Sequence, residues 1–203
     1  MNTTAHPISQ IHPLIAIRVS PNSFSCRPVS TPDLLALFEA ARWSASAGNE
    51  QPWSYLVATR AQTEQFERML SFIDPVNLPW ARLASVLVIG CARLTLEHTG
   101  AAYATAEHDL GLASANLVFE ATARGLGVHQ MTRIDRDSIH ESFRIPQHVG
   151  VISMLAIGYA EDTSAAAPDL HHPRSPLRSR KPLESFVFSE SWAQAAPILK
   201  LNS

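Results

Sequence analysis

Residues 84–92 read ASVLVIGCA, a nearly unbroken apolar run rich in branched side chains. A strand with one wet face alternates apolar and polar residues, whereas an apolar residue at almost every step marks a strand covered on both faces. Residues 149–160, VGVISMLAIGYA, repeat the pattern. Two such strands need helices on both sides of a sheet, and helical spacing surrounds them. Thr31-Pro32-Asp33 predicts a helix start with Thr31 as cap and Pro32 at the first helical position, and Leu34, Leu37, Phe38 and Ala41 give it one apolar face. Residues 63–72 predict a helix with Phe66, Met69 and Leu70 inward, and 103–124 a central, closely packed one marked by Leu110, Ala113, Leu117 and Ala121, with Gly125 placed to cap it. Residues 53–60, WSYLVATR, read as a short buried strand, and 135–143 as a short helix. Strands and helices interleave without a repeat or a regular βαβ spacing, so the fold class is α+β, a central mixed β-sheet flanked by helices.

The chain has 203 residues, enough for one real core. Apolar residues make up 46% and charged residues 17%, a lightly charged surface that suits an oligomer. A net charge of -2 gives no general electrostatic attraction to nucleic acid or to an anionic membrane, and neither is expected as a partner. Cys26 and Cys91 cannot build a disulfide framework and read as free thiols in a reducing compartment. The N-terminus lacks a secretory pattern and no run approaches a membrane span, so the expected location is cytoplasmic.

Residues 44–53, SASAGNEQPW, set tiny residues before two amides, a proline and a tryptophan. Gly48 and Asn49 suit left-handed backbone, Pro52 predicts an extended Gln51, and Trp53 enters a strand. Side-chain amides offer donors and an acceptor together, which matches a planar heterocycle edged with carbonyl and N–H groups. In isolation the stretch reads first as an Asn-Gly-type turn that satisfies its own backbone. Arg18 with Ser20, and Arg178-Ser179-Arg180-Lys181 near the other end, are good phosphate chemistry, or else simply solvated basic residues.

Taken together, IRVS at 17–20, EAARWSASAGNEQPW at 39–53, DLGLASANLVFEATARGLGV at 109–128, IGYAED at 157–162 and RSRKPLESFV at 178–187 resemble the FMN-dependent nitroreductase family over residues 14–192. The resemblance implies a nitroreductase-like fold and a homodimer, with an extended arm over about 163–192 exchanged between subunits and two interfacial FMN sites. On that reading residues 1–13 are a flexible N-terminal segment, 14–192 one FMN-binding domain and 193–203 a tail. The matching positions imply that Arg18, Val19 and Ser20, with Arg178 and Arg180, surround the flavin phosphate. Ser46 and Asn49, with Gln51 beside them, reach the flavin from the partner chain. The backbone of Gln130, Met131 and Thr132 faces the ring near N5, and Asn77 matches an amide found in some members. NADH or NADPH would be a transient donor and a nitroaromatic, a quinone or a related small molecule the acceptor, with flavin N5 carrying the chemistry and no catalytic side chain required.

Departures also count. Many members of the family carry basic residues where this chain has Val19 and Asn22, and an amide cannot neutralise charge on a reduced flavin. A flavin-binding protein of the same fold with little turnover, acting as a carrier or in an interaction, is therefore an alternative, as is a specialised flavin enzyme such as a reductive dehalogenase. Nine histidines raise a metal reading, but His140-Glu141 is followed by Arg144 where a helical zinc motif needs its second histidine, so no metal is expected. His129, after the Gly-Leu-Gly turn, either lines the substrate side or packs. Trp43, Trp53, Trp80 and Trp192 read as core or interface anchors.

Overall fold

A computed structural model describes residues 11–161 and 180–202, with side chains as far as Leu199. The chain divides into two compact units, Ile11–Leu170 and a smaller one containing His171–Ser203, each described by itself. In the larger unit the elements run α1 (Pro13–Ile17), α2 (Thr31–Arg42), β1 (Trp53–Thr59), α3 (Thr63–Leu70), α4 (Leu78–Ala81), β2 (Val86–Arg93), α5 (Ala106–Ala123), β3 (Gly127–Met131), α6 (Arg136–Phe143) and β4 (Val149–Gly158).

The four strands form one sheet in the order β1-β2-β4-β3. The sheet expected to be mixed is antiparallel in every described ladder. The α5 crossover does carry the chain from β2 to a strand running the same way, β3, but β4 inserts between them and pairs with both. The connection thus has the form of a parallel unit without producing a parallel ladder.

Alternating side chains of the two central strands feed two cores. Leu87, Ile89, Cys91, Met154 and Ala156 meet Phe66, Met69, Leu70, Trp80 and Ile139 of α3, α4 and α6. Val86, Val88, Leu155 and Ile157 meet Leu37 and Ala41 of α2 and Ala113, Leu117 and Ala121 of α5. Small residues on α5 let it lie close to the sheet, and Arg124, bonded to Glu120 at 2.7 Å, fastens its end to Asp33 of α2 at 3.0 Å.

Local readings need a few corrections. The cap of α2 is Ser30, whose Oγ accepts from the Asp33 N–H at 3.1 Å, and Thr31 is the first helical residue. The long helix starts at Ala106, leaving Tyr103 in the preceding turn. Gly125 ends it as expected, at φ 72°, with the Leu126 N–H returning to the Ala121 carbonyl at 2.8 Å. Strand β1 is a half-buried edge strand in place of a buried one: it pairs with β2 alone, and of its residues only Ala58 is fully buried. Trp43 is 76% exposed and Trp192 90%, whereas Trp80 is in the core.

The smaller unit is described from Arg180. It holds a 3-10 turn at Leu183–Ser185, a bridge between Phe188 and Ala195, and an edge-on contact of the Phe188 and Trp192 rings at 5.3 Å. Residues 162–179, most of the expected arm, and Arg178 with them, lie outside the described residues. Among the described residues no helix is long and apolar enough to cross a membrane.

Both cysteines are free. Burial disfavours the Cys91 thiolate and pushes its thiol up to about 11, so Cys91 stays protonated at neutral pH, while Cys26 is exposed. A thiol reagent at pH 7.5 should therefore modify Cys26 in the native protein and reach Cys91 only after denaturation, a sequence that mass spectrometry of quenched samples reads directly.

Candidate functional site

The first half of the site is built on the open edge of β3. After α1, Arg18 donates from Nη1 to Ser20 Oγ at 3.3 Å, on a partly exposed turn. The next residue, Pro21, is buried, and its carbonyl lies 2.9 Å from His129 Nδ1 on β3. A carbonyl oxygen only accepts, so Nδ1 is the protonated nitrogen of that ring. The chain then runs beside the end of β4, with Phe24 bridging Ala160 and the Ser25 N–H donating to the Tyr159 carbonyl at 2.9 Å. Gly127 permits the approach, since a Cβ there would stand 2.6 Å from Pro21 Cγ.

On its other side the His129 ring stacks on Trp80 of α4, centroids 4.0 Å apart and planes 17° apart. Asn77 caps α4 in position but not by its side chain, its backbone accepting from the Ala81 N–H at 3.0 Å. The loop before it is tied to the end of β3 by the Asp74 N–H, which donates to the Arg133 carbonyl at 3.2 Å. His129 thus joins the segment after Arg18–Ser20, β3 and α4. Gln130 and Thr132 are exposed, but the Met131 side chain is core, so only its peptide is available to a ligand. A surface cleft of about 690 Å3 adjoins Thr132 and runs between residues 71–75 and 132–137.

The second half is the loop before β1. Gly48 and Asn49 take the left-handed conformation the sequence suggests, at φ 61° and 57°. Gln51 does not become extended; it sits at φ 44°. Pro52 bars the right-handed helical region at Gln51, and of the regions left, the left-handed one lets its N–H donate to Ser46 Oγ at 3.0 Å. The Gln51 side-chain amide folds back onto the Asn49 carbonyl at 3.3 Å, and both residues are exposed, with the Asn49 side chain at the apex.

Two anchors hold this loop. Glu50 pairs with Arg93 of β2 at 2.9 Å, and the Arg93 hydrogen bond is the main cause of a Glu50 carboxyl held below its usual range. Asp109, 2% exposed in the first turn of α5, accepts from the Ala47 N–H at 3.2 Å and from the Tyr103 hydroxyl. Burial pushes the Asp109 carboxyl up, but hydrogen bonds from Tyr103, His108, Ala47 and Thr105 outweigh it and hold the group below the ordinary carboxylate range.

The two halves are far apart within one chain. They lie at opposite edges of the sheet, β1 and β3, and Trp53 is level with Gly150 of β4 whereas Met131 is level with Met154. Three strand spacings and a four-residue offset put them roughly 20 Å from each other. The structure therefore places Arg18, Val19 and Ser20 just before the Pro21 contact with the start of β3, Gln130, Met131 and Thr132 at the far end of that strand and Asn77 at the start of α4, and keeps Ser46, Asn49 and Gln51 as a separate group before β1. Arg180 is exposed at the start of the smaller unit's described stretch.

Sequence reading overlooked Asp109 and Tyr103, although a signal was there. Asp109 falls on the same helical stripe as Ala106, Leu110 and Ala113, a charge where the spacing calls for an apolar residue. Among the described residues no three His, Cys, Asp or Glu side chains gather as metal ligands.

Gly127→Ala should force the Arg18–Ser20 turn away from β3 and destabilise the fold by about 1–3 kcal/mol, as overpacking does. Denaturant unfolding measures the loss, and an unchanged midpoint would mean the Pro21 contact is not tight.

The sequence model of the Nitroreductase family matches residues 15–77 and 72–159. A protein of Archaeoglobus fulgidus carrying the provisional name NADH dehydrogenase/NAD(P)H nitroreductase is 29% identical over 154 residues, 73% of this chain and 84% of that protein. A crystal structure described as an oxidoreductase containing FMN superposes with a TM-score of 0.86 at 31% identity, covering 96% of this chain and 98% of the other. A nitroreductase family protein of Clostridium difficile, at 21% identity and a TM-score of 0.68 over 88% of this chain and 96% of its own, shares the fold.

Proposed function

The chain belongs to the nitroreductase family of oxidoreductases, and from that premise we propose that it is an FMN-dependent NAD(P)H oxidoreductase acting on nitroaromatic, quinone or related small acceptors. The observation that carries this reading is the pair of half-sites. The β3 half offers a guanidinium and a hydroxyl on a turn held against the strand by Pro21 and His129, while every second peptide of this edge strand points away from β4. That donor set fits a phosphate at Arg18 and Ser20 and a polar ring edge along Gln130–Thr132, while Arg178 and Arg180 match the family's further phosphate cations by sequence alone. The loop half offers Ser46 and Asn49 behind Ala45, Ala47 and Gly48, small enough for a planar group to come close.

At roughly 20 Å, one chain cannot close both halves on one three-ring heterocycle, but a two-fold dimer can. Ile15, Ile17 and Val19 of α1 and its exit, with Leu35 and Trp43 of α2, are exposed apolar residues suited to such a contact. In this reading 14–192 is one functional unit and the dimer works in the cytoplasm. Bound FMN would supply the redox centre, taking hydride at N5 from NADH or NADPH and returning electrons to the acceptor. The chain's own residues bind the phosphate, present backbone and amide partners to the ring, and leave the cleft beside Thr132 open to a second molecule.

The purified protein should take up FMN, turn yellow and be bleached by NADH or NADPH, and nitroarene or quinone should restore the colour. Protein that cannot take up FMN would sink the proposal. Arg18→Ala should weaken FMN binding about 10- to 100-fold, the loss of a charge-assisted contact. If the halves combine across a dimer, Arg18→Ala and Asn49→Ala proteins, each poor alone, should when unfolded and refolded together regain about a quarter of wild-type sites, those intact in mixed dimers. No recovery would mean that both halves serve one chain. Val19 and Asn22 favour a second reading, a flavoprotein with little turnover, which predicts FMN uptake with NAD(P)H oxidation near background.

A further inference from the structure

We propose that Asp109 is a positioning residue which, with Tyr103, sets the backbone of residues 46–51 and so aims the flavin loop. This rests on the reading of that loop given above. Asp109 Oδ2 accepts from the Ala47 N–H at 3.2 Å, and the Tyr103 hydroxyl lies 2.9 Å from the Ala47 carbonyl while also meeting Asp109 Oδ2. The one Tyr103 hydroxyl proton is shared between those two acceptor oxygens, so the peptides on both sides of Ala47 meet one buried pair, which fixes the orientation of Ser46 before it and Gly48 after it.

The loop needs such a hold. Gly48, Asn49 and Gln51 are all left-handed, and for the two non-glycine residues that region costs about 1 kcal/mol each. Conformations of this kind persist where their surroundings over-determine them. The internal bonds of the loop, the Asn49 N–H to the Ser46 carbonyl at 3.1 Å and the Glu50 N–H to the Ala47 carbonyl at 3.2 Å, start from the two residues that Asp109 and Tyr103 orient. The Glu50–Arg93 pair holds the far shoulder, leaving the apex between two anchors.

The chemistry of Asp109 also fits holding better than mere folding. A buried carboxylate is costly unless its oxygens are satisfied. Here Oδ2 is satisfied by Ala47 and Tyr103, with Thr105 Oγ1 at 3.3 Å, and Oδ1 by the exposed His108 at 3.2 Å, and among the described residues no Arg or Lys pairs with it. An apolar residue at this point of the α5 stripe would pack without that demand, but would leave the Ala47 N–H without its acceptor.

The test uses hydrogen exchange of the flavin-free protein and FMN titration of the same variants. Asp109→Ala should speed exchange in the peptide covering 45–51 about tenfold, leave β4 protected, and weaken FMN affinity about tenfold, the scale of one or two lost hydrogen bonds. Tyr103→Phe should do the same more weakly, and Asp109→Asn, which keeps one acceptor oxygen, should fall between wild type and Asp109→Ala in both measurements. Thr105→Val, which loses a bond to Asp109 without touching the loop, should lower the melting temperature and leave exchange over 45–51 and FMN affinity close to wild type. Unchanged loop exchange in Asp109→Ala overturns the inference, as does faster exchange with unchanged FMN affinity. A wild-type protein that takes up no FMN instead overturns the functional reading, and the exchange experiment still decides whether Asp109 holds the loop.

Discussion

Burial of β2 and β4 on both faces is the constraint from which the rest of the structure follows. Leu87, Ile89, Met154 and Ala156 point to one side and Val86, Val88, Leu155 and Ile157 to the other, so neither side can be left to water. Helices α3, α4 and α6 cover the first side, α2 and α5 the second. Among the described residues β1 and β3 are the outer strands of that sheet, and the candidate binding residues lie next to those two strands.

The edges are treated differently. At β3 the approach of a turn is fixed by absence: Gly127 has no side chain to meet Pro21, and the protonated Nδ1 of His129 supplies the bond that keeps the turn there. Trp80 completes the arrangement by stacking on the same ring, which makes the core of the α4 side part of the scaffold of the site. At β1 the loop is held by charge: Asp109 and Arg93 reach it from α5 and β2, and their bonds offset its left-handed backbone. One half-site is a packed contact and the other a strained loop under two anchors.

The layers, most element positions and the left-handed Gly48 and Asn49 were legible in the sequence because each depends on a local property, side-chain periodicity or the steric limits of one residue. Gln51 was not. The rule that proline excludes right-handed helix from the residue before it leaves two regions open, and the hydrogen bond to Ser46 Oγ, five residues back, selects the less common one. Tyr103 departs from the local pattern for a similar reason: its neighbours have helical spacing, but its hydroxyl is drawn to Ala47 and Asp109.

By itself the sequence determined that the central strands are covered on both faces, that a phosphate-suited Arg18 and Ser20 precede them, and that a small-residue loop carries amides into a strand. Those properties reside in single residues and their near neighbours. Tertiary structure alone decided that β4 enters between β2 and β3, which makes every described ladder antiparallel and sends the two half-sites to opposite edges. It also decided that Asp109, a charge on an apolar stripe, meets Ala47, 62 positions away along the chain. Strand order and long-range bonds depend on which surfaces can be buried against each other at the same time, and no local pattern contains that information.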